Sequence, residues 1–158
     1  MKVVYLALGS NIGDREAHLR RALEELQARD LRLRKASGVY ETEPMGLREQ
    51  RWFLNQVAEF ETELFPLQLL QRIHRIERLL GRRRVVLNGP RTIDIDIVLY
   101  GNAVVKTEEL QVPHPGYRER RFVLEPLAEL NPVLRDPETR QTVAAMLDAV
   151  RGQGVKRI

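Results

Sequence analysis

The sequence predicts an α+β fold: a ferredoxin-like (split βαβ) antiparallel sheet with helices on one face plus C-terminal additions. Three observations predict it. The elements follow one another as strand, helix, strand, strand, helix, strand. The helical segments each carry a single apolar stripe, enough to cover one side of a sheet. The strand near residue 95 alternates apolar and polar side chains at period two.

Residues 2–8, with Val3, Val4, Tyr5, Leu6, Ala7 and Leu8, form a nearly continuous apolar run and read as a buried central strand. Residues 9–14 break it, and Asp14 suits the N-cap of the next helix. That helix carries Leu19, Ala22, Leu23 and Leu26 on one stripe. The glycine-rich break reads as a tight strand-to-helix turn. A phosphate cradle is the weaker reading, because no Gly-Lys-Ser/Thr follows.

Residues 31–40 alternate loosely, then Pro44 and Gly46 mark a loop from Glu43 to Arg51. Residues 52–64 read as a strand with Phe53, Asn55 and Val57 on one face and Leu54, Gln56, Ala58 and Phe60 on the other. Asn55 is either a sheet-edge amide or a reader of a flat heterocycle through paired donor and acceptor. Pro66 fits the first turn of a second helix, whose stripe is Leu69, Leu70, Ile73, Ile76 and Leu80, and Gly81 fits its end. His74 and Glu77 lie three apart on its flank.

A loop from Gly81 to Thr92 follows, with Arg82, Arg83, Arg84 and Arg91 in it. It leads into Ile93, Asp94, Ile95, Asp96, Ile97, Val98, Leu99 and Tyr100. Alternation points Ile93, Ile95, Ile97 and Leu99 to the core and Asp94 and Asp96 to the other face. Two strand rises separate the aspartate Cα atoms by about 6.7 Å, a repulsion of about 2–3 kcal/mol at an effective dielectric near 20. A divalent cation reverses that repulsion, whereas a solvated strand end merely dilutes it. Mg²⁺ is the natural candidate, since it takes one or two carboxylates together with phosphate oxygens. The neighbouring arginines, which bind phosphate bidentately, favour a nucleotide polyphosphate site.

Gly101 and Asn102 form a turn, and residues 104–112 return as a small hairpin. His114 stands between Pro113 and Pro115 and either meets phosphate or caps the loop. Arg120, Arg121 and Phe122 open a short helix with Val123, Leu124, Leu127 and Leu130, and residues 142–150 form a last one.

Composition narrows the function. The 158 residues suggest one domain covering the whole chain. With no cysteine there is neither a disulfide nor a thiolate zinc site, and the three histidines, His18, His74 and His114, lie far apart. Nothing is long and apolar enough for a signal or membrane span, so a cytoplasmic protein without a membrane partner is expected. The net charge of +4 and pI near 9.7 suit a phosphate-bearing partner. An RNA-binding module on a ferredoxin-like sheet would need the aromatic RNP signature, which is missing, and the Asp pair would repel phosphate without metal. No nucleic-acid partner is therefore expected. An ordinary kinase moving only the γ-phosphate is a further alternative.

The motifs Tyr5-Leu6-Ala7-Leu8-Gly9-Ser10-Asn11, Tyr40-Glu41-Thr42-Glu43-Pro44, Phe53-Leu54-Asn55, Gly81-Arg82, Gly89-Pro90-Arg91-Thr92-Ile93-Asp94-Ile95-Asp96 and Val112-Pro113-His114 occur in this order. Through them the chain, from Tyr5 to about Pro132, resembles the 6-hydroxymethyl-7,8-dihydropterin pyrophosphokinases of folate biosynthesis. The resemblance implies transfer of pyrophosphate from ATP to the pterin hydroxymethyl group with release of AMP. It implies two Mg²⁺ ions on Asp94 and Asp96, and Arg82 and Arg91 against the transferring phosphate. It implies ATP contacts from His74, Glu77, Arg84, His114 and Arg120. It also implies a pterin pocket of Thr42, Met45, Phe53, Asn55 and Phe122, with the two phenylalanines sandwiching the ring. The Gly81 to Thr92 loop would be a lid over ATP. Asn88 and Pro115 stand where some members carry Trp and Tyr, so those two contacts are not carried over.

Overall fold

The structure is a computed structural model that describes residues 1–43, 51–81 and 92–158. Its elements are β1 (Lys2–Ser10), α1 (Arg15–Leu26), β2 (Leu31–Ala36), β3 (Tyr40–Thr42), β4 (Phe53–Thr62), α2 (Pro66–Leu79), β5 (Asp94–Tyr100), β6 (Val105–Lys106), β7 (Gln111–Val112), a 3-10 turn (Tyr117–Glu119), α3 (Arg121–Leu130), α4 (Val143–Asp148) and β8 (Val155–Arg157). Among the described residues the main sheet runs β5-β1-β4-β3-β8, with β2 also on β4, and all these pairings are antiparallel. No described helix is long and apolar enough to cross a membrane.

Strand β1 is central because its apolar run can be buried on both faces. Val4, Leu6 and Leu8 pack with Leu54 and Phe60 of β4, Ile95 and Ile97 of β5, and the stripes of α1 and α2. Burying each such side chain contributes about 1.5–3 kcal/mol. Asp14 caps α1 by accepting from the Ala17 N–H at 3.1 Å. Gly13 turns the chain before it at φ +64°, and Gly81 ends α2 at φ +83°, both left-handed conformations that favour glycine. The break after β1 is thus a turn, tied down by Arg51, whose guanidinium donates to the Gly13 carbonyl at 2.8 Å.

Two expectations need correction. Helices do not cover one face alone. Tyr5, Val57, Val98 and Leu99 on the second face pack against α3 and α4 through Val123, Leu124, Leu127, Met146 and Leu147. The C-terminal helices carry apolar stripes of their own and need a partner surface. The second correction concerns β5. Tyr5 opposes Leu99 but Leu6 opposes Ile97, so Val98 is an inserted bulge residue. The bulge reverses the phase, sending Leu99 to the second face and Tyr100 to the first.

The segment expected to alternate over 31–40 is split into β2 and β3. Ser37 interrupts it, and its Oγ accepts from the Val57 N–H at 3.0 Å. Strand β8, which sequence patterning did not foresee, extends the sheet beyond β3 by pairing Val155 with Thr42 and Arg157 with Tyr40.

Candidate active site

The second face of the sheet is not covered along its whole length. Tyr5, Ala7 and Gly9 lie on it in succession, and their side chains shrink toward the Ser10 end of β1. Where they are smallest, a cleft of ≈ 260 Å³ opens over Ala7 and Gly9. Cross-strand register sets its walls. Gly9 lies between Asp94 on one side and Asn55 on the other, and Ala7 lies between Asp96 and Val57. Asp94 and Asp96 both line the cleft and are half-buried, alternating with buried Ile93, Ile95 and Ile97. The carboxylate pair therefore faces one cavity, as period-two alternation demands.

Gly9 and Ala7 are site residues that the sequence reading missed. An ideal Cβ on Gly9 would stand 3.0 Å from Asn55 Oδ1 and 3.7 Å from Phe53 Cδ1. The missing side chain is what lets the amide lie across β1. Asn55 Nδ2 donates to Thr42 Oγ1 at 2.7 Å, which orients the amide from the β3 side. An Asn offers two donor hydrogens and an acceptor oxygen, so one bond to Thr42 leaves capacity to read a ligand edge.

The opposite wall comes from the loop before α3 and the start of that helix. His114, Arg120 and Phe122 line the cleft there. His114 Nδ1 accepts from the Gly116 N–H at 3.1 Å, which assigns the ring proton to Nε2 when the imidazole is neutral. Burial lowers the His114 pKa below 6.5, the Arg120 guanidinium lowers it further, and the Asp94 carboxylate opposes them. A neutral ring that donates from Nε2 results near pH 7. The Arg120 guanidinium lies over the Phe122 ring, 5.8 Å from its centroid. Gly116 makes room for it, since a Cβ there would stand 2.8 Å from Arg120 Cζ.

Tyr117, which forms part of the cleft floor, is fully buried. Its hydroxyl donates to Asp136 Oδ2 at 2.5 Å, and Arg118 Nε donates to the same oxygen at 2.6 Å. Burial pushes the Asp136 carboxyl up. Arg118, Tyr117 and the N–H groups of Thr139 and Glu138 outweigh that and hold it well below the usual carboxylate range.

Thr42, Phe53, Asn55, Asp94, Asp96, His114, Arg120 and Phe122, expected from distant parts of the sequence, thus meet around one cleft. His74 and Glu77 do not line it. His74 is exposed on α2, whereas Glu77 is 4% exposed and accepts from the Ile95 N–H at 2.8 Å. Met45, Arg82, Arg84 and Arg91, with Asn88, lie outside the described residues. Among the described residues no cluster of three or more His, Cys, Asp or Glu side chains is placed to hold a metal. The hard oxygen donors of Asp94 and Asp96 fit Mg²⁺ as a partial shell, to be completed by phosphate oxygens and water.

Comparison with known proteins places the chain in a family. Residues 5–132 match the family model for 7,8-dihydro-6-hydroxymethylpterin-pyrophosphokinase (HPPK). The chain is 50% identical over 129 residues to the 2-amino-4-hydroxy-6-hydroxymethyldihydropteridine pyrophosphokinase of Bacillus subtilis, covering 81% of this chain and 77% of that one. It is 43% identical to the Aquifex aeolicus protein of the same name, covering 89% and 88%. It is also 44% identical over 156 residues to the folic acid synthesis protein fol1 of Schizosaccharomyces pombe, spanning 98% of this chain but only 21% of that relative's length. A crystal structure of Plasmodium falciparum HPPK-DHPS with pteroate shares the fold at a TM-score of 0.76 and 15% identity, covering 99% of this chain and 46% of that one. The chain belongs to the 7,8-dihydro-6-hydroxymethylpterin-pyrophosphokinase family.

Proposed function

We propose that this chain transfers pyrophosphate from ATP to the hydroxymethyl group of 6-hydroxymethyl-7,8-dihydropterin, releasing AMP, in tetrahydrofolate biosynthesis. The observation that carries this reading is the convergence of two different surfaces on one cleft. An acidic pair, Asp94 and Asp96, lines it together with an amide and two aromatic rings, Asn55 with Phe53 and Phe122. The first suits a metal-bound polyphosphate and the second a flat, polar-edged ring.

In this reading Asn55, held by Thr42, reads the pterin edge, and Phe53 and Phe122 enclose its faces, a contact worth about 0.5–1.5 kcal/mol beyond buried area. His114 and Arg120 meet the nucleotide. Arg82, Arg84 and Arg91 add positive charge from the 82–91 segment. Asp94 and Asp96 would hold Mg²⁺, taken as two ions, which supplies neutralisation of the triphosphate charge when bound. The pterin hydroxymethyl oxygen attacks the β-phosphorus, the bond from that phosphorus to the α-bridging oxygen breaks, and AMP departs as the hydroxyl proton is lost. Such a transfer depends on positioning and charge neutralisation rather than a covalent nucleophile, so a cleft without Ser-His or Cys chemistry suffices. The strand order β5-β1-β4-β3, with α1 and α2 as connections, supports reading the core as the split βαβ unit.

Product analysis tests the assignment. Incubation with ATP, Mg²⁺ and the reduced hydroxymethylpterin should yield AMP and the pterin diphosphate in equal amounts. ADP in place of AMP would point to an ordinary kinase and overturn the reading.

A further inference from the structure

The family match ends at residue 132, yet the segment 151–158 connects both walls of the cleft. At one end it grips the Arg120 corner. Gln153 Oε1 accepts from the Arg121 N–H at 2.9 Å, and Gln153 Nε2 donates to the Glu119 carbonyl at 2.7 Å. These two bonds bracket Arg120. The Arg121 guanidinium returns the grip, donating to the carbonyls of Arg151 at 2.9 Å and Gln153 at 2.8 Å. At the other end β8 pairs with β3, setting Val155 opposite Thr42, and the Ile158 N–H donates to the Val39 carbonyl at 3.0 Å.

The two anchored points are not arbitrary. Thr42 orients Asn55 through a 2.7 Å hydrogen bond. The Arg120 corner carries Phe122 at the start of α3. Phe53 and Asn55 belong to the sheet, whereas Phe122 belongs to a helix packed on it, so a ring held between the two phenylalanines spans two separately supported elements. Their separation is set by how firmly α3 is tied to the sheet edge beside Thr42. Glu129 ties the far end of α3 to that edge, accepting from the Gly38 N–H and the Tyr40 hydroxyl, and the 151–158 segment ties the near end, with backbone pairing on β3 and side-chain hydrogen bonds at the Arg120 corner.

We propose that residues 151–158 form a strap that fixes the width of the ring-binding end of the cleft, with Gln153 as its positioning residue. Gln153 touches neither substrate in this account. It acts through Arg121 and Glu119 on Phe122. The proposal rests on the pyrophosphokinase reading above and deepens it by assigning a determinant of pterin affinity outside the matched family region.

The test compares Gln153→Ala, Gln153→Glu and Arg121→Lys with the parent chain. Dihydropterin binding is read by quenching of its own fluorescence, and KM is read for both substrates. Gln153→Ala loses both bonds to the corner. Gln153→Glu keeps the acceptor but sets a carboxylate oxygen against the Glu119 carbonyl. Arg121→Lys keeps its backbone N–H and charge but loses the guanidinium fork. Each variant should weaken dihydropterin binding and raise its KM by about tenfold, equivalent to ~1.4 kcal/mol. The KM for ATP should rise less, by no more than about threefold (on the order of 0.7 kcal/mol), because the nucleotide keeps His114 and the Asp94 and Asp96 side and loses at most part of its Arg120 contact. Unchanged dihydropterin affinity, or equal rises for both substrates, would overturn the strap. A parent chain that makes no AMP would instead sink the pyrophosphokinase reading, and the fluorescence titration would still report on the strap.

Discussion

Glu77 accepts a hydrogen bond from the Ile95 N–H at 2.8 Å, and Ile95 is the residue between the two aspartates. Strand β5 is the edge of the sheet, paired on one side with β1. Its outward N–H at Ile95 would be a costly buried donor without an acceptor, and α2 supplies one. The helix-flank glutamate thereby holds the backbone that aims Asp94 and Asp96 into the cleft.

This relationship separates two substitutions at Glu77. Glu77→Gln keeps an acceptor oxygen and should retain most activity. Glu77→Ala leaves the donor unmet and should lower stability by about 1–3 kcal/mol, with a rise in the Mg²⁺ concentration needed for half-maximal turnover. Urea unfolding and a Mg²⁺ titration of the rate measure both. Equal losses in the two variants would mean that the charge matters rather than the backbone bond.

The floor of the cleft is sensitive to a single methyl group. Gly9→Ala places a Cβ 3.0 Å from Asn55 Oδ1 and forces the amide to shift. Dihydropterin binding should weaken by roughly tenfold, ~1.4 kcal/mol, while circular dichroism stays unchanged. Undiminished affinity, measured by fluorescence titration, would show that Asn55 is free to yield or does not read the ring.

His114 carries a pH dependence whose sign follows from its environment. Its folded pKa lies below 6.5, because burial and Arg120 disfavour the cation. Between the folded and unfolded values the unfolded chain binds more protons, so stability falls as pH drops below about 6.5 and levels off beneath the folded value. His114→Gln should flatten that slope. Urea midpoints at pH 7.5 and pH 5 for both proteins provide the comparison, and an unaltered slope in the variant would contradict the neutral assignment.

Asp136 is a stability residue placed under the site. It is fully buried and joins Tyr117, Arg118 and the Glu138 and Thr139 N–H groups. Asp136→Asn takes the buried carboxylate away from Arg118, which keeps its bond to Glu138, and should cost on the order of 3 kcal/mol. Because the folded pKa of Asp136 is depressed, its contribution is present above the unfolded value and is lost as pH falls through the folded one. A denaturation midpoint shift worth less than about 1 kcal/mol would contradict this.

Much of this was legible in the sequence because sheet faces follow from alternation. Asp94 and Asp96 reach one cavity for the reason that Ile93, Ile95 and Ile97 reach the core. Alternation failed where it carried no information. Ile97, Val98, Leu99 and Tyr100 are all apolar, so a bulge at Val98 changes which of them faces which layer without breaking any pattern. Gly9 and Ala7 were hidden for a related reason, since their part in the site depends on register with β4 and β5. Tyr5, Ala7 and Gly9, decreasing in size along one face, were the signal that was available. Glu77, placed on a helix flank and given an ATP contact by the resemblance, gave no sign of its bond to the Ile95 N–H, because that role depends on the edge of another element. Strand β8 has one apolar residue, Val155, and takes its structure from pairing with β3.

In the proposed reaction Asp94 and Asp96 hold the metal-bound triphosphate. The direct measurement is the rate of AMP formation by Asp94→Asn and Asp96→Asn at saturating ATP and dihydropterin, with folding checked by urea midpoint. Each variant should lose at least about a thousandfold in rate, ~4 kcal/mol of transition-state stabilisation, while its midpoint shows the chain still folded. Rates near the parent's in either variant would contradict the account.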